Sequence, residues 1–425
     1  MKTVRELHDT IFGLEMELTR RYLELGVNGF SDASERAEWS RQLMAASFGR
    51  NAVIWISDGD ATPKYFPSVM VRVDAFRVKD VITGSSNQDF HPAFKVGSNF
   101  YSRLWIGKYQ ATTITSNAKV LALSLRGMDP AVSLSFDTAK AYCANNGSRH
   151  HLMTAAEWAA ITLRCRAHGF QPRGNNYYGR DSADADSAEN YGVPTYFSSE
   201  KIARVGTGTG PMSWADDGSP LGIWDLNGNV REWLAGLRFA AGEIQVVANN
   251  DAAADGADLT RDSALWKALA AADGALMSPE VTFSADDSDA TDAGVGATCR
   301  MSPAAANGST VITINTSVAN PTVDSQYVYS AFDNIDVDGV NVATCHEILQ
   351  SLAIAPQNPG GNTHGGDTFY LRCPEAGTGD AYVETIPHRG GYWNDAGSAG
   401  VFFSLCDSPR SSSHSALGFR PAFLG

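Results

Sequence analysis

Apolar residues recur at intervals of three or four along the first part of the chain, which predicts an amphipathic helix over residues 3–25. A glycine, Gly26, directly follows this pattern and is a suitable C-cap. The spacing forms a heptad-like seam of Val4, Leu7, Ile11, Leu14, Leu18, Tyr22 and Leu25. Two interpretations stay open at this point: a helix packed on its own domain, or a short coiled coil that joins copies of the chain.

Short strands follow the helix, because β-branched and aromatic residues alternate with turn-rich segments between residues 50 and 120. We expect strands at 52–56, 69–73 and 104–109. Two helices come next. One spans residues 135–144, and the other begins at Thr154, where the spacing of Thr154 and Glu157 predicts a capping box. We therefore assign Glu157 a capping role and no chemistry.

A long insertion, about 239–385, separates this region from the C-terminal segment. It is rich in alanine and aspartate, and its run Ser263–Leu269 indicates a helix capped by Asp262 or Ser263. Two further runs, 311–315 and 368–371, are rich in β-branched and aromatic residues and predict strands.

The last thirty-seven residues, 389–425, differ in composition from the rest, and we call them the tail. Between Asn394 and Ala416 there is no Lys, Glu, Gln, Met or Ile, whereas serine occurs seven times. Small polar residues with scattered aromatics are typical of adaptable binding loops. The ends of the tail, rich in glycine and aromatic residues, instead suggest a scaffold.

Composition indicates a folded protein and excludes some partners. The 425 residues are 43% hydrophobic and 19% charged, with a formal net charge of −14. Such acidity argues against nucleic-acid binding and against adhesion to anionic lipid. No apolar run is long enough for a membrane span. The six scattered cysteines fit reduced thiols, and the charged start of the chain suggests synthesis in the cytoplasm without a signal peptide.

Four ordered motifs carry a resemblance to a known family. Residues 151–158 read H-L-M-T-A-A-E-W, and residues 222–233 read G-I-W-D-L-N-G-N-V-R-E-W. The tail adds R-G-G-Y-W at 389–393 and G-F-R at 418–420. Together they resemble the blocks of the formylglycine-generating-enzyme family and, within it, the variable proteins of diversity-generating retroelements. Blocks in this order are more specific than one short motif.

The resemblance implies an α+β C-type lectin fold over residues 76–425, with the insertion at about 239–385. Residues 1–75 would form an N-terminal helix and strand region. The resemblance also implies that a variable segment, about 389–420, is rewritten by mutation of adenines. On that basis the chain is a ligand-binding display protein and not an enzyme.

The positions implied to vary are those whose residue type can arise from an asparagine codon by adenine changes. They are Tyr392, Asn394, Asp395, Ser398, Phe403, Ser404, Cys406, Asp407, Ser408, Ser412 and His414. We expect exposed Tyr392 and Phe403 to be the anchors of ligand binding. The scaffold of this face would consist of Gly390, Gly391, Trp393, Gly418, Phe419 and Arg420.

A calcium site is a second implication of the resemblance. In the family, the matching positions ligate calcium, which here would use the side chains of Asp225 and Glu232 and the carbonyls of Gly228 and Val230. The alternative is that Asp225 and the neighbouring asparagines only satisfy backbone groups of a turn. No cofactor is otherwise required.

The enzyme interpretation is disfavoured by particular residues. Where the formylglycine-generating enzymes place two reactive cysteines, this chain has Asp395 and Gly400. The related iron-dependent enzymes use three histidines, and His150 and His151 are adjacent, so they point in different directions. A divergent enzyme and a structural virion or surface subunit stay as alternatives. The expected partner is a protein or glycan on a cell surface, bound by a homo-oligomer that is a phage or prophage product, or else a bacterial protein.

Overall fold

The computed structural model describes residues 3–284, 289–305, 311–323, 326–337, 340, 343–361 and 364–425. Within these residues the α-helices are α1 (Val4–Leu25), α2 (Ala33–Ala46), α3 (Phe136–Ala144), α4 (Ala155–Ala167) and α5 (Ala343–Ser351). None of the helices in this part of the chain is both long and apolar enough to cross a membrane.

The strands of the first 250 residues include those predicted from the sequence near 52–56, 69–73 and 104–109. In chain order they are β1 (Asn51–Ser57), β2 (Tyr65–Asp74), β3 (Lys95–Val96), β4 (Asn99–Phe100), β5 (Arg103–Gly107), β6 (Ala111–Ser116), β7 (Lys119–Ser124), β8 (His150–Leu152), β9 (Pro194–Ser198), β10 (Lys201–Val205), β11 (Arg231–Trp233), β12 (Leu237–Ala240) and β13 (Glu243–Val247).

The remaining strands belong to the insertion and the tail. They are β14 (Trp266–Leu269), β15 (Leu276–Met277), β16 (Val281–Phe283), β17 (Ala290–Asp292), β18 (Arg300–Pro303), β19 (Ile312–Asn315), β20 (Val328–Ala331), β21 (Thr368–Leu371), β22 (Glu384–Thr385), β23 (His388–Gly390), β24 (Gly400–Cys406), β25 (Leu417–Gly418) and β26 (Pro421–Leu424). The mixture of helices and largely antiparallel strands confirms the α+β class.

Helix α1 packs against its own domain. Thr3 and Glu6 form a capping box at its start, and Gly26 adopts a φ of +51° at its end. Ile11, Leu18 and Tyr22 of the predicted seam are buried in a cluster with the β1–β2 strands. The first of the two interpretations of the seam is therefore the one observed in this chain.

A buried ion pair also anchors α1. The Lys108 ammonium donates to the Glu15 carboxylate at 2.6 Å, and both side chains are fully buried. The Tyr109 hydroxyl donates to the second oxygen of Glu15 at 2.5 Å. Helix α1 is thus part of the domain core and not an appendage.

A five-stranded sheet joins the two ends of the chain, with the strand order β1-β2-β5-β26-β8. The last strand, β26, lies between β5 and β8 and is antiparallel to both. The sheet crosses the boundary that we placed between residues 75 and 76, since β1 and β2 precede it and β5 follows it.

The tail, part of the insertion and strand β11 of the central block form a six-stranded sheet with the order β20-β21-β24-β23-β11-β25. Most of the insertion strands instead join β12 and β13 in a seven-stranded sheet. The helix predicted over 263–269 is wrong: residues 266–269 are strand β14, which pairs antiparallel with β13. Pairing with a neighbouring strand outweighs the helix propensity of this alanine- and leucine-containing run.

The two central helices follow the sequence prediction. Ser135 caps α3, and a capping box of Thr154 and Glu157 begins α4. The Glu157 carboxylate accepts from the Thr154 backbone at 2.9 Å and contacts the His151 ring at 2.8 Å. It is satisfied by structural partners.

Candidate functional site

The tail contributes strands to the six-stranded sheet and to the five-stranded sheet. Strand β23 begins it, a short loop leads into β24, and after β24 a second loop of residues 407–416 leads to β25 and β26. Strand β11, which carries the R-E-W end of the central block, lies between β23 and β25. Two strands of the tail therefore flank β11, and the two loops of the tail lie at the surface.

Strand β24 has one side in the core. Phe402 packs against Phe332, with ring centroids 5.0 Å apart. The Ser404 hydroxyl accepts a hydrogen bond from the buried Arg389 guanidinium. Cys406 is 1% exposed and belongs to the main hydrophobic cluster. The expectation that Ser404 and Cys406 belong to an exposed face is wrong, because alternation along a strand turns this row inward.

The opposite side of β24 is what we call the outer face, which comprises Phe403, Tyr370, Arg231 and Tyr392. The ring centroids of Phe403 and Tyr370 lie 5.7 Å apart. The guanidinium carbon of Arg231 lies 5.4 Å from the centroid of the Phe403 ring. Its side chain is nevertheless 0% exposed. The expectation that Phe403 is an exposed anchor is therefore wrong, and Phe403 is the covered floor of this face.

Arg231 organises the outer face. Its guanidinium donates to both carboxylate oxygens of Asp395, at 2.9 Å to Oδ1 and 3.0 Å to Oδ2 from the same nitrogen. Its carbon also lies 4.4 Å from the Tyr392 ring centroid. Burial raises the pKa of Asp395, although the charge and hydrogen bonds of Arg231 act in the opposite direction. The sequence analysis did not predict this role of Arg231, although Arg231 lies inside the motif at residues 222–233.

The other predicted variable positions differ in exposure. Asn394 is exposed, while the remaining half-buried positions are Tyr392, Asp395, Ser398, Asp407, Ser412 and His414. Ser408 is buried, and its hydroxyl donates to Asp407 at 2.9 Å, so the expectation of an exposed Ser408 is wrong. The structure thus places the predicted positions of the loop at 392–398 together at or near the surface. It buries Ser404, Cys406 and Ser408.

The insertion contributes aromatic residues to the same face. Strand β20 pairs with β21, which in turn pairs with β24. Tyr327 and Tyr329 are 51% and 49% exposed, and each ring lies 5.8 Å from the Tyr370 ring. The alternation of tyrosine with small or apolar residues over 327–331 was the signal in the sequence that could have revealed this exposed edge.

The glycines of the scaffold are placed where a side chain would clash. Gly390 has a φ of +89°, and an added Cβ would lie 2.8 Å from the Leu226 carbonyl oxygen. Gly391 has a φ of +80°, and a Cβ on Gly418 would meet the Ala131 carbonyl oxygen at 2.8 Å. Trp393 and Phe419 are 7% and 0% exposed, which is where the scaffold assignment expects them.

The oxygen cluster of the central block does not fit calcium. The side-chain nitrogen of Gln110 lies at its centre, 3.1 Å from the Asp225 carbonyl, 2.9 Å from the Val230 carbonyl and 3.4 Å from the Gly228 carbonyl. Calcium–oxygen distances are shorter, about 2.3–2.6 Å. The Arg420 guanidinium meanwhile donates to both Glu232 oxygens, at 2.7 and 2.9 Å. An amide and a guanidinium occupy the place of the implied cation, so the residues in this arrangement do not fit calcium.

The turn alternative accounts for most of these groups, and only the Oδ1 of Asp225 among them is buried without a hydrogen-bond partner. One Asp225 carboxylate oxygen accepts from the Gly208 backbone at 2.8 Å. The Asn229 side chain accepts from the Val205 backbone at 3.0 Å and donates to the Gln110 oxygen at 3.0 Å, which fixes the orientation of that amide. Burial raises the pKa of Asp225 to about 7. These residues close a turn.

The positions of the missing cysteines are also filled by structure. Asp395 is paired with Arg231, as described above. A Cβ added to Gly400 would lie 2.1 Å from an Asp367 carboxylate oxygen, so even a cysteine would not fit there without rearrangement. Asp367 in turn accepts from the Phe402 backbone at 2.7 Å. The local packing supports strand β24 and provides no thiol pair.

Comparison with known proteins gives a family match and four matching chains of solved structures, including the following two. No curated protein matches the chain. One solved structure, Treponema denticola variable protein 1, shares 10% identity and a TM-score of 0.31, with 88% of this chain and 99% of that chain covered. A second, Major Tropism Determinant P3c Variant, shares 9% identity and a TM-score of 0.27, with 88% of this chain and 71% of that chain covered.

The family match covers most of the chain before the insertion, ends just inside the insertion at residue 248 and does not include the tail. Residues 46–248 match the sulfatase-modifying factor enzyme 1-like domain, and they include both central motifs at 151–158 and 222–233. The match supports the resemblance drawn from those motifs and the lectin-type α+β fold that it implies. Residues 46–248, from β1 to β13, are thus similar to a sulfatase-modifying factor enzyme 1-like domain. Strands of the tail pair with strands of this region.

Proposed function

We propose that this chain is a non-enzymatic ligand-binding display protein of the retroelement-diversified type, and that the outer face with its flanking loops is its recognition surface. The observation that carries the proposal is the continuity of Tyr392, Asn394 and Ser398 of the tail with the exposed Tyr327 and Tyr329 of the insertion. Tyrosines surrounded by small polar residues suit an adaptable interface.

Contacts across the sheet support this continuity. Burial raises the pKa of the Tyr370 hydroxyl and the Asp395 charge adds to this, whereas a hydrogen bond with Ser398 lowers it. Tyr370 therefore lies within reach of the tail loop on one side, and its ring contacts Tyr327 and Tyr329 on the other. Tail and insertion together would present one binding surface.

The proposed partner is a protein or glycan on a cell surface. Display as several copies would raise the avidity of a weak single site, and we therefore also propose a homo-oligomer. The seam of α1 is already used inside the domain, so the contact between copies would use another surface. Light scattering of the intact chain at micromolar concentration tests this, and a monomeric mass would contradict it.

A pair of libraries tests the recognition surface. The first randomises the outward positions Tyr392, Asn394, Ser398, Ser412 and His414 with the residues that adenine changes allow. The matched control randomises the inward positions Phe402, Ser404 and Cys406 of strand β24. Both are displayed on yeast and selected for binding to hen lysozyme as a model protein.

We expect the first library to stay folded and to yield binders, because surface substitutions change stability by about 0.5 kcal/mol or less. The control library should lose surface expression, because its positions are core. Unfolding of the outward library, or equal tolerance in both, would contradict the proposed surface. In the genome, a near-copy of the tail-coding DNA beside a reverse-transcriptase gene is expected if the tail is diversified.

A further inference from the structure

Arg231 is a fixed cation beneath a segment proposed to vary. It begins strand β11, outside the tail, and its backbone nitrogen donates to the Ala416 carbonyl at 2.9 Å. The Tyr392 ring lies 4.4 Å and the Phe403 ring 5.4 Å from the guanidinium carbon. Two aromatic rings thus contact the guanidinium in addition to its carboxylate partner.

That carboxylate is supplied by the tail. Asp395 approaches from the loop after β23, and its Oδ2 also accepts from the Tyr392 backbone at 3.0 Å. The Arg231 and Asp395 side chains are only 15% and 10% exposed. A guanidinium presents a planar fork that matches a carboxylate with two parallel hydrogen bonds, which is the geometry seen here.

We propose that Arg231 is a built-in carboxylate-binding element of the recognition surface, which Asp395 masks in this chain and which opens to an acidic segment of a protein partner when residue 395 carries no charge. The inference rests on the proposed function, since it takes position 395 as one that varies. Residue 395 would then decide whether the surface accepts an acidic ligand.

The physical reason is the cost of an unpaired guanidinium. Serine is among the residues that adenine changes allow, and its hydroxyl would leave the mostly buried Arg231 guanidinium without a hydrogen-bonded counter-ion, which is unfavourable. The charge of the Asp407 carboxylate also interacts with Arg231, but no hydrogen bond joins the two among the described residues. An incoming carboxylate would restore the two parallel hydrogen bonds.

Chemical rescue tests the inference on the full-length chain. The variant Asp395→Ser is unfolded thermally at pH 7 in sodium acetate and in sodium chloride of equal ionic strength. We expect a saturable rise of its Tm with acetate, no such rise for the unaltered chain, and none for the double variant Asp395→Ser with Arg231→Gln. If Asp395→Ser does not fold, the isosteric Asp395→Asn variant takes its place.

A second arm uses a hexaglutamate peptide as the probe. It should bind Asp395→Ser about tenfold more tightly than the unaltered chain, since a hydrogen bond to a charged group contributes enough for that factor. Added salt should weaken this binding. The same response to acetate in all three proteins would overturn the inference, and so would a response that persists without Arg231 or appears only after Asp407→Asn is added.

Failure of this inference is distinguishable from failure of the proposed function. Binders from the outward library without acetate rescue would leave the recognition surface intact and remove the role of Arg231. Acetate rescue without any binders would show an anion site on a surface that does not serve recognition.

Discussion

Trp393 shows how a single residue can fix the start of the tail. It is 7% exposed and packs with Ala203, Val230 and Ala416, while Phe419 at the other end is fully buried. Replacing either by alanine should cost about 3–5 kcal/mol of unfolding free energy, as for other buried aromatics. Chemical denaturation measures this, with exposed Asn394→Ala as the control. Unaltered stability in Trp393→Ala or Phe419→Ala would contradict the core assignment.

Phe403 and Tyr392 should respond differently although both were expected to be anchors. Phe403 is fully buried beneath Tyr370 and Arg231, so Phe403→Ala should lower the unfolding free energy by about 3–5 kcal/mol. Tyr392 is half-buried, so Tyr392→Ala should lower it much less while weakening ligand binding. Denaturation curves of the two variants decide this, and equal losses would place both side chains in the same environment.

At this scale the sequence predicted the scaffold better than the surface. Glycines before a tryptophan indicate close backbone approach, and Gly390 and Gly391 both have positive φ. Composition does not predict the inward turn of Ser404 and Cys406, because small polar residues are typical of loops, whereas residues 400–406 form strand β24 with side chains on alternate sides. Gln110 at the centre of the oxygen cluster was also beyond the motif, since it precedes Asp225 by 115 positions and joins it only in the fold.

The N-terminal helix carries an element-scale prediction. Glu15 and Lys108 form a buried pair, so Glu15→Gln should cost about 3–5 kcal/mol by leaving a buried charge without its counter-ion. In a double-mutant cycle with Lys108→Met, the two substitutions should be strongly non-additive, because removing both charges costs less than the sum. The exposed pair Arg41 and Glu38 is the control and should show no resolvable coupling. Additivity at Glu15 and Lys108 would contradict the anchoring role.

For the helices and strands, the periodicity of the sequence predicted whether an element is a helix better than it predicted what that element packs against. The 3.6-residue period of α1 and the capping box of α4 gave the correct helices, because these signals are local. The same seam could not show what it packs against, since buried Lys108 lies 93 positions after Glu15. The run at 263–269 lacked a clear period, and pairing with β13 decided its structure.

For the whole molecule, the resemblance predicted the order of the central block, the insertion and the tail along the chain, but not which of their strands pair. The tail, the central block and the insertion share one sheet, with β11 between β23 and β25 and the insertion strands β20 and β21 at its edge. Only long-range pairing brings Tyr327 and Tyr329 to the tail, and no local pattern in the sequence specifies which strands become neighbours. The exposed sheet edge with Tyr327 and Tyr329 therefore extends the proposed recognition surface beyond the tail, to which the sequence-based prediction limited it.

Glu384 joins these parts through charge. Its carboxylate accepts from Arg238 of β12 at 2.9 Å, from Arg261 of the insertion at 2.8 Å and from Arg410 of the tail at 2.8 Å. Burial acts to raise the pKa of Glu384, but the hydrogen bonds and charges of these arginines outweigh it and lower the pKa to about 2. The ion cluster thus links the tail to the seven-stranded sheet.

Acid should therefore loosen the whole molecule through Glu384. The folded-state pKa is lower than the ordinary value of 4.5, so the unfolded chain binds the proton more readily and stability falls as the pH drops from about 4.5 to about 2. The contribution is present above that window and is on the order of 3 kcal/mol. The Glu384→Gln variant should lack this contribution at pH 7. The difference in unfolding free energy between the variant and the unaltered chain should narrow as the pH falls through the window.

Glu38, whose pKa is also lowered to about 2 by Arg41 and Gln42 but which lies on the surface, is the matched control. Because solvent screens surface pairs, Glu38→Gln should leave the pH dependence unchanged. A constant difference between Glu384→Gln and the unaltered chain from pH 7 to pH 2 would show that the arginines do not hold the tail through this carboxylate.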